Sequence, residues 1–130
     1  MAVLIDTSVL VDAERRGRSL RAVAGDEERM ISVVTASELL HGVHRARDEA
    51  IRVRRGVWVE RLLAEATAIP ITTRVARVHA EAWASLEDAG TPIGAHDLWI
   101  AATALAHGLP VATANARDFE RVPGLAVLAA

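Results

Sequence analysis

The chain lacks several features, and each absence narrows the class of protein. None of its 130 residues is a cysteine, so neither a disulfide framework nor a thiolate metal site can form, and such a chain suits the reducing cytoplasm. No segment approaches the roughly 18 consecutive apolar residues that a membrane span needs. No basic flank precedes the first apolar segment, as an export signal would require. We therefore expect a soluble cytoplasmic protein that is not exported and has no membrane partner.

Lysine is also absent, so all fifteen basic residues are arginine. The formal net charge of -2 gives no overall field that would hold a nucleic acid, so a local patch or a metal ion would have to bind any polyanion. The arginines are concentrated at residues 15–21 and 45–55, and guanidinium groups match phosphate geometry bidentately. RNA or DNA is therefore an admissible partner. The alternative is that these arginines are solvated helix faces in a chain of biased composition.

Short strands alternate with helices along the whole chain, without repeats or linkers. Ala2–Ile5 is apolar without a polar break, which is typical of a strand buried on both faces in the middle of a parallel sheet. Further strands are predicted at residues 30–33, 68–71, 111–113 and 125–128. Pro70 indicates that the strand at 68–71 lies at an edge. This pattern predicts a single domain over residues 1–130, folded as a three-layer α/β/α sandwich around a central, mainly parallel sheet.

Capping residues indicate where several of the helices begin and end. Predicted helices cover residues 9–15, 19–24, 48–66, 73–89, 98–107 and 115–121, and another begins at residue 35. Ser8 is predicted to cap the first of them, and Gly17 to end it. The segment 35–38 has the form of a capping box, with Glu38 as its acidic member. Thr72 or Thr73 is predicted to cap the helix that Gly90 closes.

Four acidic residues lie just past a predicted strand or in the first turn of a predicted helix. They are Asp6, Glu38, Asp97 and Asp118, with Asn115 beside the last of them. In a parallel sheet these positions share one rim, and open α/β sheets bind ligands beyond the carboxyl ends of their strands. Each acid also has a local alternative, as a helix cap, a capping-box glutamate or a first-turn acid. Four separate helix starts on one rim favour a shared site over four coincidences.

Clustered carboxylates repel one another, and a bound cation relieves the repulsion. An oxygen-only site without cysteine or paired histidines suits a hard ion such as Mg²⁺, which takes one or two carboxylates together with waters and phosphate oxygens. Such an ion can activate a water, orient it against a phosphodiester and neutralise the transition state. The sequence therefore predicts metal-dependent phosphodiester hydrolysis. The five histidines form no competing site, although His96 could touch substrate at the cleft mouth or be an ordinary surface residue.

Four segments in order carry a resemblance to a known family. They are Leu4-Ile5-Asp6-Thr7-Ser8, Thr35-Ala36-Ser37-Glu38-Leu39, Thr91-Pro92-Ile93-Gly94-Ala95-His96-Asp97 and Thr113-Ala114-Asn115-Ala116-Arg117-Asp118-Phe119. The set resembles the PIN-domain ribonucleases over the whole chain, and among them the VapC toxins of bacterial toxin-antitoxin pairs. The resemblance implies an RNA endonuclease that uses Mg²⁺ or Mn²⁺, that a cognate antitoxin inhibits, and that is usually a homodimer.

The resemblance also implies roles for individual residues. Asp6 and Asp97 match the acids that hold the metal directly, and Glu38 matches the third acid, which binds metal or positions the water. The fourth family position is often an aspartate where this chain has Asn115, and Asp118 is a substitute one helical turn on. The hydroxyls of Thr7, Ser8 and Thr113 could donate hydrogen bonds to carboxylates or phosphate, or cap helices instead.

Other readings of the same acids predict different proteins. A receiver-type signalling domain would need a lysine, and a haloacid-dehalogenase-type phosphatase would need an aspartate where Ser8 stands. A PIN nuclease of general RNA processing and an inactive binding module of the same fold remain as alternatives to a toxin. For a toxin, we expect an antitoxin helix in an apolar groove near Val9, Leu39 and residues 45–55, with a basic side chain extended towards the acids. Trp58, Trp83 and Trp99 are predicted to lie in the core or a dimer interface.

Overall fold

The computed structural model describes residues 1–130, apart from the side chain of Leu20, and over that range it contains five strands and seven helices. In chain order these are β1 (Ala2–Ile5), α1 (Thr7–Arg15), α2 (Leu20–Ala24), β2 (Glu28–Ser32), α3 (Val33–Arg45), α4 (Glu49–Glu65), β3 (Thr67–Ile69), α5 (Thr73–Ala89), α6 (Ala95–Ala106), β4 (Val111–Thr113), α7 (Ala116–Phe119) and β5 (Val127–Ala129). The predicted alternation of strands and helices is confirmed.

The five strands form one parallel sheet in the order β3-β2-β1-β4-β5. Leu4 of β1 is in register with Met30 on one side and with Val111 on the other, and is fully buried. The uninterrupted apolar run at the start of the chain therefore forms the central strand, as predicted. The strand that precedes Pro70 lies at an edge, where a missing backbone donor costs least.

Helices cover both faces of the sheet, which confirms the three-layer sandwich. On one face α5 and α6 pack against Leu4 and Val111, with Ile100 in the same buried cluster. On the other face α1, α3 and α4 pack against Ile5 and Ile31. Because successive residues of β1 point to opposite faces, both layers are anchored on the same four-residue strand.

Three predicted helix starts, those of α1, α3 and α6, are wrong. α1 begins at Thr7, so Ser8 lies inside its first turn and does not cap it. The N-cap is Asp6, whose backbone N–H still donates to the Ala112 carbonyl of β4. α3 begins at Val33 and is capped by Ser32, whose hydroxyl accepts from Val34 N–H at 3.0 Å. The capping box predicted for residues 35–38 therefore does not form. Because Ser32 ends β2 in an extended conformation, the strand runs into the helix without a loop, and Glu38 falls in the second turn.

Other boundaries follow the predicted signals more closely. Thr72 caps α5, Gly90 ends it with φ 68°, and Gly17 follows α1 with φ 67°. The start of α6 is the exception: it lies at Ala95 after Gly94, three residues earlier than predicted, so Asp97 lies in its first turn and is not its N-cap. Among the residues described, no helix has the length and hydropathy that crossing a membrane requires.

Candidate metal centre at the carboxyl end of the sheet

Asp6 lies directly beyond the central strand and is almost completely buried, with 2% of its surface exposed. Its Oδ2 atom accepts hydrogen bonds from the hydroxyl of Ser8 at 2.6 Å and from that of Thr113 at 2.8 Å. Its Oδ1 atom is buried and accepts no hydrogen bond from any described residue. Leaving a carboxylate oxygen buried without a partner is costly, so this atom is the clearest candidate for a metal ligand in the molecule.

The hydroxyl groups of Ser8 and Thr113 connect the segment after β4 to Asp6 by hydrogen bonds. Ser8 Oγ accepts from the backbone N–H of Ala114 at 3.1 Å, and Thr113 Oγ1 accepts from the backbone N–H of Asn115 at 2.9 Å. The same two hydroxyls are the donors to Asp6, so each bridges the backbone and the carboxylate. The ends of two adjacent strands, β1 and β4, are thereby held in one fixed arrangement.

Glu38 is held from both sides by polar side chains of neighbouring helices. Thr7 of α1 donates to its Oε1 atom at 2.7 Å, and the Thr7 hydroxyl lies 3.0 Å from that of Thr35. The Oε2 atom lies 3.3 Å from Nδ1 of His96 in α6. Glu38 therefore faces the cleft between three helices, although it is not part of a capping box.

Asp97 lies half-buried in the first turn of α6. Burial, followed by the negative charges of Asp6, Glu38 and Asp118, raises the pKa of its carboxyl to about 6, against a smaller opposing effect of His96. All three other acids of the predicted set therefore act on Asp97 in one common electrostatic field. A cation bound nearby would lower the pKa of this carboxyl again and so favour its charged form.

Asp118 lies in α7 and is held by one amide group and one guanidinium group. Its Oδ2 atom accepts from the side-chain amide of Asn115 at 2.8 Å, and its Oδ1 atom lies 3.4 Å from Nη1 of Arg121. Arg121 also donates to the carbonyl of Pro92 at 3.1 Å, which ties α7 to the loop ahead of α6. Asn115 thus orients Asp118, and it is the Asp118 carboxylate that contributes charge to the site.

The carboxylates share one rim, but they are not arranged as a closed coordination sphere. No three of the described acidic or histidine side chains are placed so that they could hold a metal ion as they stand. Glu38 and Asp118 instead accept hydrogen bonds from Thr7 and Asn115. Repulsion between the carboxylates favours this arrangement over one in which they point at each other. The donor set nevertheless fits a divalent cation, because such an ion would satisfy Asp6 Oδ1 and favour the ionised form of Asp97.

Sequence reasoning missed two residues of this site. Thr35 is fully buried beside Thr7, and nothing in its local sequence distinguishes its hydroxyl from that of a helix-capping threonine. Arg121 pairs with Asp118 three residues earlier, a spacing that predicts contact on a helix. Of the two His96 alternatives, the structure places the ring at the cleft, near Glu38 and mostly exposed.

A small parallel α/β fold with four carboxylates along the rim of its sheet suits a hydrolase that uses a divalent metal ion. Comparison with known families agrees, since the PIN domain model matches residues 3–125. The chain is 34% identical to a ribonuclease VapC of Rickettsia bellii over 98% of this chain and 96% of that protein. It therefore belongs to the PIN-domain family, and within it to the VapC ribonucleases, as the sequence motifs indicated.

Solved structures show the same relationship. The VapBC-5 toxin-antitoxin system of Mycobacterium tuberculosis contains a chain that is 32% identical, with a TM-score of 0.79 over 98% of this chain and 96% of that one. A chain of the DNA-bound VapBC of Salmonella typhimurium is 26% identical, with a TM-score of 0.88 over 99% and 98% of the two chains. VapC nucleases of this family generally depend on divalent metal ions. Both structures contain VapC-like chains within toxin-antitoxin complexes.

Proposed function

We propose that this chain, as a single PIN domain over residues 1–130, is the toxin of a type II toxin-antitoxin pair and hydrolyses phosphodiester bonds of RNA in the cytoplasm. Its metal ion in this proposal is Mg²⁺, with Mn²⁺ as a substitute. The observation that carries the proposal is the buried, unpartnered Oδ1 atom of Asp6, in the same field as three further carboxylates. The Rickettsia bellii relative is named a ribonuclease VapC, and the Mycobacterium tuberculosis structure is of a toxin-antitoxin system. Both names favour a toxin over a general RNA-processing nuclease or an inactive binding module.

Each residue of the site has a role in this proposal. Asp6 and Asp97 hold the metal, Glu38 binds it or positions the attacking water, and Asp118 is the fourth acid. A metal ion held by these residues would lower the pKa of the water and neutralise charge on the phosphate. Ser8 and Thr113 fix one oxygen of Asp6 so that the other stays available.

Glu38 is oriented by Thr7, whose hydrogen bond keeps one carboxylate oxygen aligned towards the cleft. An oriented carboxylate can accept a proton from the attacking water, a contribution typical of general-base catalysis. Asn115 acts on the opposite side of the site by holding Asp118.

A cognate antitoxin is the proposed inhibitor, and a groove beside the acids suits it. A cavity of about 150 Å³ between α1, α3 and α4 is lined by Val11, Leu39 and Val59, and it reaches Glu38 at one end. An amphipathic helix could lay its apolar face in this groove and extend an arginine or lysine to Glu38, as helix-in-groove recognition does. The toxin-antitoxin complexes of the solved relatives support this partner.

A homodimer is the proposed assembly, and α5 presents a surface that suits it. Trp83 is 54% exposed and projects beside an apolar cavity of about 280 Å³ that Leu86, Ile93 and Trp99 also line. In a two-fold dimer the same patch occurs on both copies, so each Trp83 could pack against the cavity of the other. Burying a large aromatic side chain in this way is a common anchor of interfaces.

The proposed activity is tested by comparing acid variants with a matched surface acid. Asp6→Asn and Asp97→Asn should each lower the Mg²⁺-dependent cleavage of labelled RNA at least about 100-fold, and expression of either should leave cells growing. Asp88→Asn removes an exposed acid of α5 and should cleave as the wild type does. Chelation with EDTA should stop wild-type cleavage, and re-added Mg²⁺ or Mn²⁺ should restore it. Equal RNA cleavage and equal toxicity of the wild type and Asp97→Asn would refute the proposal.

A further inference from the structure

Two arginine-rich segments that lie far apart in the sequence meet on one surface. The end of α1 and the middle of α4 together enclose a concavity of about 470 Å³. We call it the basic groove; it is lined by Arg15, Arg16, Arg54, Trp58 and Arg61. Because about 40 residues separate its two halves, only the packing of α1 and α4 on the same sheet face creates this concentration of charge.

Three of these arginines have their charge available for a ligand. Arg15, Arg54 and Arg61 are exposed, and none of them forms an ion pair or a side-chain hydrogen bond with any described residue. The two acids of α1 near the groove are already engaged, since Asp12 pairs with Arg16 at 3.0 Å and Glu14 pairs with Arg55 at 3.5 Å. Glu65 lies beside Arg61 in the neighbouring concavity. The groove is therefore locally basic in a protein whose overall charge is slightly negative.

The basic groove is continuous with the candidate metal centre. Arg15 and Glu14 line both this concavity and the smaller cavity that ends at Glu38. A nucleic-acid strand that extends from the acid cluster past Glu38 would therefore lie along α1 and reach Arg54 and Arg61. Polyanion-binding surfaces that flank a catalytic centre position the substrate without taking part in the reaction.

An aromatic side chain stands among the arginines. The indole Nε1 of Trp58 donates to the carbonyl of Arg18 at 3.0 Å, which fixes the ring at the edge of the groove. The ring lines the basic groove and also a neighbouring concavity beside Ser19 and Glu65. Alternating arginines and an aromatic face are typical of surfaces that bind single-stranded nucleic acid, with phosphates on the guanidinium groups and a base on the ring.

We propose that the basic groove binds the backbone of the single-stranded RNA substrate several nucleotides from the cleavage point, with Arg15, Arg54 and Arg61 on phosphates and Trp58 under an unpaired base. This inference rests on the proposed ribonuclease function and adds to it the path of the substrate. RNA is favoured over a protein ligand because the exposed arginines surround an aromatic face, and the two acids at the α1 side of the groove are already paired.

The test measures RNA binding without cleavage, in the Asp97→Asn background. Arg54→Ala/Arg61→Ala is compared with Arg74→Ala/Arg77→Ala, which removes the same charge from α5 on the opposite face of the sheet. Fluorescence anisotropy with a labelled single-stranded 16-nucleotide RNA is recorded in Mg²⁺ over a series of salt concentrations. The groove variant should bind at least about fivefold more weakly. The slope of log affinity against log salt concentration should become shallower by about 0.7 for each lost phosphate contact. The α5 variant should bind as the parent does, and Arg54→Lys/Arg61→Lys should recover part of the affinity.

A second measurement separates this inference from the proposed function. With Asp97 intact, the groove variant should cleave a four-nucleotide RNA at the wild-type rate but a 16-nucleotide RNA with a higher KM. If wild-type protein cleaves RNA and both double variants bind it equally, the basic groove is not the substrate path. If the groove variant keeps its RNA affinity but loses that for the antitoxin, the groove is a protein interface and the inference is wrong. If wild-type protein neither binds nor cleaves RNA, the proposed function fails as well.

Discussion

The hydroxyl of Thr113 at the end of β4 donates a 2.8 Å hydrogen bond to Asp6 Oδ2 at the end of β1, across 107 residues of sequence. Both residues are buried, so the bond forms away from competing water. It fixes which oxygen of Asp6 is satisfied and which is left without a partner. The orientation of the candidate metal ligand is thus set by a neighbouring strand.

Replacing Thr113 with valine keeps the shape of the side chain and removes this hydrogen bond. We expect Mg²⁺ affinity or cleavage rate to fall about 10- to 100-fold, as it does when groups that orient metal ligands are lost, with a stability loss of about 1–2 kcal/mol. Thr103→Val is the matched control, because Thr103 is equally buried but donates only to the Trp99 carbonyl within α6. Both variants should melt earlier, and only Thr113→Val should lose activity in an RNA cleavage assay. Equal activities would mean that Asp6 needs no such support.

The raised pKa of Asp97 predicts that the metal-free protein becomes more stable as the pH falls. Between its ordinary value of 3.8 and the folded-state value of about 6, the folded state binds more protons than the unfolded state, so stability is lost as the pH rises through this window. Asp97→Asn removes the free-energy cost of ionising this carboxyl in the folded state. Because the carboxyl is only half-buried and solvent screens it, we expect a gain of about 1 kcal/mol, or about 3–5 °C in Tm, at pH 7.5 in EDTA.

Thermal melts at several pH values test this prediction. The gain of Asp97→Asn should shrink towards pH 4, where the wild-type carboxyl is protonated, whereas Asp88→Asn should show no such trend. Adding Mg²⁺ should raise the Tm of the wild type and leave that of Asp97→Asn nearly unchanged. A Tm gain that is the same at every pH would show that repulsion at Asp97 is not its cause.

Glu38 and His96 are in contact, yet they should differ sharply in importance. Glu38→Gln keeps the volume and one acceptor but removes the charge, so we expect the RNA cleavage rate to fall at least about 100-fold. The His96 side chain is 67% exposed, and water can replace it beside Glu38, so His96→Ala should stay within about threefold of the wild type. Single-turnover cleavage rates would distinguish the two variants. A large loss in His96→Ala would instead make the histidine a substrate contact.

The sequence was informative wherever a residue's neighbours determine its conformation. The apolar run of β1 predicted the central strand, and Gly90 predicted the end of α5, because burial on both faces and a positive φ leave local signals. The position of Asp6 followed from the rule that parallel strands end at one rim. That rule does not place Asp97, because α6 follows α5 and not a strand.

The rest of the site could not be predicted, because it depends on contacts between distant segments. Glu38 was expected in a capping box, but Ser32 starts α3 earlier, and only the packing of α1 on α3 brings Thr7 to Glu38. The basic groove likewise appears only when α1 and α4 lie side by side. The hydrophobic pattern fixes which face of each helix is buried, but not which polar groups meet across the exposed edges.

Asn115 and Asp118 can be tested as one unit by exchanging their chemistry. Asp118→Asn removes a negative charge that raises the pKa of Asp97, so we expect Mg²⁺ to bind about tenfold more weakly. Adding Asn115→Asp to that variant restores the charge and keeps an amide beside it, because the two side chains are in contact at 2.8 Å. The double variant should therefore recover part of the affinity, measured by titrating Mg²⁺ against the cleavage rate. An unchanged Mg²⁺ dependence in Asp118→Asn would exclude this residue from the metal centre.

Trp83 provides the sharpest test of the proposed dimer. Since 54% of the residue is exposed, Trp83→Ser should cost little folding stability in an isolated subunit, but it would remove the aromatic anchor of the α5 surface. We expect the variant to have the mass of a monomer in light scattering at concentrations where the wild type is a dimer. Val53→Ser is the control, since Val53 is an exposed apolar residue of α4 on the other face of the sheet, with 61% exposure. A monomeric wild type, or a Trp83→Ser variant that stays dimeric, would show that the α5 surface is not a dimer interface.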